Sequence, residues 1–236
     1  MEKEKKKMMY VSEIISNCIP FLSDRWKASN SDFLIPEYID LFAKKMETYL
    51  YDGIPETYPL PLCNDEKTPA LSEVIRHFIE VIKITRNNGG AITTDVSKLW
   101  AIAIENTTFE YLMILMGQRY TASSSKGKAA LPPAKVLLLK SAFTSLNEQI
   151  LVATKAWEKH AGRSANNFWG EVKGGPKEKE KKVKNIVITM IKNHTWWNIF
   201  FHYKHGLVYE IRVPSGHGIR WNRKGTRLIG FLEPFL

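Results

Sequence analysis

Cysteine is scarce: Cys18 and Cys63 are the only two in 236 residues, and they lie far apart outside any paired spacing. A disulfide framework and a zinc knuckle are thereby excluded, and a reducing intracellular compartment, cytoplasmic or nuclear, is expected. Long apolar runs are absent too. The most apolar stretch, "LWAIAIENTTFEYLMILM", is interrupted by Glu105, Asn106 and Glu110, which fits a buried helix and not a membrane span. The start, "MEKEKKKMMYVSEIISNCIPF", loosely imitates a secretory signal, but Glu13, Ser16 and Asn17 break its apolar part and no small-residue cleavage site follows.

Catalytic and cofactor fingerprints are missing as well. There is no GxGxxG, no GxSxG, and the order GxxxxGK[ST] is not met around Lys126 and Gly127. No cofactor is therefore expected. Four of the six histidines, His194, His202, His205 and His217, fall within 24 residues. His202 and His205, three apart on a strand, point to opposite faces, and no cysteine or acidic pair completes a metal site.

What is present is charge of one sign in one place. The chain carries a net +10. Residues 171–236 hold thirteen Lys/Arg against five Asp/Glu, a net +8, while the first 170 residues hold +2. A field concentrated in one region attracts polyanions, whereas evenly spread lysines mainly confer solubility. Much of the excess comes from "PKEKEKKVK", whose plain reading is a solvated helix face or flexible loop.

Helical periodicity runs from about residue 9 to 193. Pro36 opens and Gly53 closes a helix in which Ile39, Phe42, Ala43, Met46 and Leu50 recur at spacings of three and four. After a proline-broken connection, Thr68 as cap and Pro69 in the first turn start a stripe of Leu71, Val74, Ile75, Phe78, Ile79 and Ile82, ended by "RNNGG", with His77 at its edge. One helix is predicted over Thr94–Met116. The Ser/Lys-rich "GQRYTASSSKGKAALPP" reads as a mobile linker, and a long helix over about 133–160 carries Val136, Leu137, Phe143, Leu146, Ile150, Leu151, Ala153 and Trp157. "GRSANNFWGEVKGGP" combines an ordered turn with a flexible connection. A helix over 177–193 buries Val183, Ile186, Val187, Met190 and Ile191.

From about 195 to 233 the period changes to alternation. "WWNIFFHY", "LVYEIRV", a piece around "IRW" and "TRLIGFLE" are separated by "KHG", "PSGHG" and "NRKG". That is an antiparallel meander. The predicted fold is α+β: five to six helices in a bundle followed by this small C-terminal antiparallel meander, all in a single domain 1–236.

Alternation puts Leu207, Tyr209, Ile211 and Val213 on one face and Val208, Glu210 and Arg212 on the other. In suitable register Arg212, Arg220 and Arg227 converge on one side. Guanidinium forks bind phosphate or carboxylate, and rings beside them accept bases. The candidate anion- or nucleic-acid-binding residues are thus Arg212, His217, Arg220, Arg223, Lys224, Arg227 and His202. The alternative is that the rings are core and the arginines decorate a polar face. The "SGHG" turn can cradle an anion with His217, or be a plain hairpin connection.

The reading favoured by these residues is a non-enzymatic binding protein whose basic, aromatic C-terminal surface engages nucleic acid or another polyanion. Two rivals remain: a scaffold subunit that grips a protein partner through an apolar groove, on the strength of seven tryptophans, and an enzyme on a phosphorylated substrate with His202 or His217 as acid/base and Arg220 as anion clamp.

Overall fold

The computed structural model describes residues 13, 15–91, 93–147, 150–162 and 167–235. The lysine-rich first seven residues lie outside them. The architecture is mixed α+β with a four-stranded antiparallel sheet at the C-terminus. Two compact units partition the chain, one formed by the described residues up to Tyr58 together with Thr68–Gln118, the other by Pro59–Lys67 and Arg119 onward.

The first unit is helical: α1 (Asp24–Ser29), α2 (Pro36–Asp52), α3 (Leu71–Val74), α4 (Ile79–Asn87), α5 (Thr94–Glu105) and α6 (Phe109–Leu115). In α2 all five residues of the predicted stripe are buried, and the helix stops at Gly53, whose φ of 94° only glycine adopts readily. Rings line the interior. Phe33, Phe42, Phe78 and Trp100 follow one another at centroid separations of 5.6–5.8 Å, and the Trp100 indole N–H donates to Thr85 Oγ1 at 3.0 Å.

Three helix boundaries differ from the sequence expectation. The stripe at Leu71–Ile82 is kept, but a 3-10 turn at Arg76–Phe78 splits it, and the helix starts at Leu71 with Ala70, not Thr68, at the N-cap position. The helix expected over Thr94–Met116 breaks at Asn106: Thr107 Oγ1 donates back to the Ala103 carbonyl, and Thr108 caps a new helix by accepting from Tyr111 N at 3.3 Å.

The third difference is larger. The single helix expected over 133–160 is α7 (Lys135–Ala142), a small ribbon of β1 (Ser145–Asn147) and β2 (Ile150–Leu151), and α8 (Val152–Ala161). Thr144 is the reason. Its Oγ1 donates to Lys140 O and its carbonyl accepts from Val152 N, closing a turn where a helix would continue. Val136, Leu137 and Leu146 are exposed as a result, while Leu138, Leu151, Ala153 and Trp157 are buried.

α9 (Pro176–Asn193) and strands β3 (Trp196–His202), β4 (Gly206–Arg212), β5 (Gly218–Asn222) and β6 (Leu228–Leu232) complete the second unit in the order β3-β4-β5-β6, the meander expected. α7, α8 and α9 contact this sheet. Trp197, Ile199, Tyr209, Ile211, Ile219 and Trp221, which share one face by register, are buried. The lysine run forms the first turns of α9 and is largely solvent-facing. Within it Lys179 reaches Glu158 at 2.9 Å, and Lys182 donates to Glu171 O at 2.7 Å. The stretch expected to be a mobile linker is instead laid along the edge of β3: Arg119 N donates to Trp197 O, Ser125 N to Ile199 O, and Phe201 N to Ser123 O. No helix among the described residues is long and apolar enough to cross a membrane.

Candidate functional site

The second face of the sheet carries a polar row between apolar residues. Register sets Asn198 of β3 opposite Glu210 of β4, and Glu210 opposite Arg220 of β5, so these three stand in a row across the strands. Glu210 is fully buried. It accepts from Arg212 Nε at 2.5 Å and from Arg220 Nη2 at 2.6 Å and Nε at 2.7 Å. Two guanidiniums on one carboxylate compensate a charge that is costly to bury alone. Asn198 Nδ2 donates to Ser124 Oγ at 2.8 Å.

The predicted site residues are therefore brought together only in part. Arg212 and Arg220 converge, but on Glu210. Arg212 is buried, with Nη1 also donating to Gly216 O and Glu233 O and its guanidinium 3.8 Å from the Phe235 ring. Arg227 lies in the β5–β6 turn just before β6 and is exposed, as is Lys224 in the same turn. Arg223, in the same turn, donates to Ala129 O through Nη2 at 2.7 Å. His202 sits at the end of β3, its ring 4.9 Å from that of His205.

His217 turns inward. Its ring stacks on Phe168 with centroids 3.6 Å apart, its Nδ1 is 3.0 Å from Ser215 Oγ, and its Nε2 is 3.3 Å from Glu233 Oε2. Burial pushes its pKa below the usual imidazole value, against the pull of Glu233. Neutral His217 then donates through Nε2–H to Glu233 and accepts from Ser215 at Nδ1.

Glu233 collects more than His217. Its Oε1 accepts from Trp169 Nε1 at 3.0 Å and lies 2.8 Å from His160 Nε2. The Glu233 carboxylate, just after β6, is thus clamped by two imidazoles and an indole from three other places: the end of α8 (His160), the loop before α9 (Trp169) and the β4–β5 turn (His217). Glu233 is 39 % and His160 24 % exposed at the side chain, whereas His217 is 7 % exposed. The half-buried pair can exchange protons with a bound molecule, and the buried members fix its orientation. Sequence reasoning missed His160, Trp169 and Glu233. They stand up to 73 residues apart, and no spacing signals a contact of that range.

Residues 139–233 match the sequence profile of the CdiA C-terminal tRNase toxin domain. That match overturns the expectation of a non-enzymatic binding protein, because the matched domain is a nuclease. No curated protein matches the chain. Among solved structures, the toxic C-terminal tip of CdiA from Pseudomonas aeruginosa, in complex with immune protein, aligns at 25% identity. The alignment covers 40% of this chain and 99% of that one, with a TM-score of 0.35.

Proposed function

We propose that residues 139–233 carry a ribonuclease activity directed at tRNA. The observation that carries this reading is the match of that segment to a tRNase toxin domain. The cluster of Glu233, His160, Trp169 and His217 lies wholly inside the segment and supports a specific chemistry. RNA can be cut by its own 2′-hydroxyl once that proton is removed and the departing 5′-oxygen receives one. The Glu233 carboxylate takes the 2′-hydroxyl proton, the 2′-oxygen attacks phosphorus, and the P–O5′ bond breaks as His160, the general acid, gives a proton to the leaving oxygen. The products are a 2′,3′-cyclic phosphate and a 5′-hydroxyl. His217 and Trp169 are positioning residues, holding the carboxylate by neutral N–H donors. The basic excess of the matched segment suits a polyphosphate substrate.

The test is incubation of the purified chain with tRNA followed by analysis of the new ends. Cyclic phosphate and 5′-hydroxyl ends are expected. His160→Ala and Glu233→Gln should each lower turnover by about 10²–10⁴. Intact tRNA after prolonged incubation at stoichiometric enzyme overturns the activity. Undiminished cleavage in the His160→Ala/Glu233→Gln double variant overturns the assignment of the site.

A further inference from the structure

The tip of the β3–β4 hairpin lies at the end of the sheet away from Glu233. β3 and β4 pair over seven residues from Trp196↔Arg212 to His202↔Gly206, which separates the two ends by about 20 Å at the usual rise per strand residue. Large rings stand in solvent at this tip: Tyr203 is 78 % exposed and Phe201 60 %, and Phe201 pairs across the strands with half-exposed Leu207. Three rings form a ladder, with His202 stacked on Tyr203 at 4.9 Å and 21° and on His205 at 4.9 Å and 22°. The backbone locks it, because Lys204 N donates to His202 Nδ1 at 3.2 Å.

Charge lies against the ladder, with the Lys204 ammonium over the Tyr203 ring. Lys204 Nζ is 5.3 Å from the Tyr203 ring centroid, and Arg220 and Arg227 act electrostatically on His205. Desolvation first, then Arg220, holds both imidazoles below their usual pKa, so near neutral pH they are uncharged plates. The β5–β6 turn, at the same end of the sheet, adds exposed Lys224 and Arg227. Flat uncharged rings rimmed by cations match a nucleobase with its phosphates: the ring accepts the base by stacking and the cations take the backbone. An apolar partner would leave the lysine and arginine rim unmatched.

We propose that this hairpin tip is a base-stacking platform for an unpaired nucleotide of the substrate RNA, with Tyr203 as the stacking ring and Lys204, Lys224 and Arg227 as its phosphate contacts. The proposal rests on the ribonuclease reading for the identity of the polyanion. It makes the enzyme select RNA segments whose bases are free to splay out, because a base held in a duplex cannot reach the ring.

The experiment uses the full chain and a fluorescently labelled stem–loop RNA with 2′-O-methyl riboses, which binds but offers no 2′-hydroxyl to attack. A blunt duplex of the same chemistry is the control. Tyr203→Ala should weaken stem–loop binding by about 5- to 150-fold, the equivalent of losing about 1–3 kcal/mol of stacking, and leave duplex binding unchanged. Tyr203→Phe should bind like the wild type, since the flat ring and not the hydroxyl is used. Because Tyr203 is exposed, the variants keep the native circular dichroism. Equal stem–loop affinity in Tyr203→Ala, equal losses on both RNAs, or no stem–loop binding by the wild type each overturns the platform. A wild-type chain that leaves tRNA uncut but loses the stem–loop on Tyr203→Ala keeps the platform and removes the nuclease. Cutting of tRNA by a chain whose binding ignores Tyr203 does the reverse.

Discussion

Glu210 shows what one buried charge requires of its neighbours. Its carboxylate is closed off from water and satisfied by Arg212 and Arg220, so removing it strands two guanidiniums of which one is buried. Glu210→Ala is expected to cost about 3–5 kcal/mol, read as a lower urea midpoint with unchanged slope, and an unchanged midpoint would contradict the network. His217 makes a different demand. Its folded pKa is depressed by burial, so the unfolded chain binds a proton more readily than the folded one near pH 6. Its contribution to stability is complete above the unfolded value near 6.5 and is lost as pH falls through the lower folded value. The urea midpoint of the wild type should therefore drop on acidification below pH 6.5 more steeply than that of His217→Gln. Cys18 belongs to the same scale. Burial pushes its thiol up to about 12, which leaves it protonated beside the Ile15 carbonyl it donates to.

The β4–β5 and β5–β6 turns of the second unit leave little room. A Cβ on Gly218, at the start of β5, would lie 2.5 Å from the Ile211 carbonyl oxygen, a backbone atom that cannot move without opening the β4–β5 ladder. Gly218→Ala should lower the unfolding midpoint by the equivalent of about 1–3 kcal/mol. It should also loosen the turn that carries His217, so the proposed tRNA cleavage should fall along with stability. A variant as stable and active as the wild type would show that the turn has slack. Legibility varied among these elements. The helix Pro36–Asp52 and the four strands could be read because a proline, a glycine or a change of period marks each boundary. The helix expected over 133–160 could not, because the apolar spacing of Val136 to Trp157 continues across Thr144, and only hydrogen bonds to Lys140 and Val152 show that the backbone turns there.

At the scale of the whole molecule the distribution of charge matters more than its total. On the proposed ribonuclease reading, cations exposed at one end of the sheet should make RNA association sensitive to salt. With Lys204, Lys224 and Arg227 on single-stranded phosphates, the logarithm of the stem–loop affinity should fall against the logarithm of salt with a slope of at least about −2. Lys224→Gln with Arg227→Gln should flatten it by about 1.4. A salt-independent affinity would mean that the basic tail takes no part in binding.

Composition and periodicity by themselves determined the α+β class, the C-terminal meander, the main helical cores and the basic tail, because each is a property of neighbours along the chain. The alternation of β4 also told which side chains share a face. Only the tertiary structure decided what those side chains meet: Arg212 and Arg220 folded onto Glu210 instead of onto solvent, and His160, Trp169 and His217 gathered on Glu233. The physical reason is that a hydrogen bond forms wherever donor and acceptor are brought within about 3 Å, while the number of residues between them in the chain leaves no trace in local sequence.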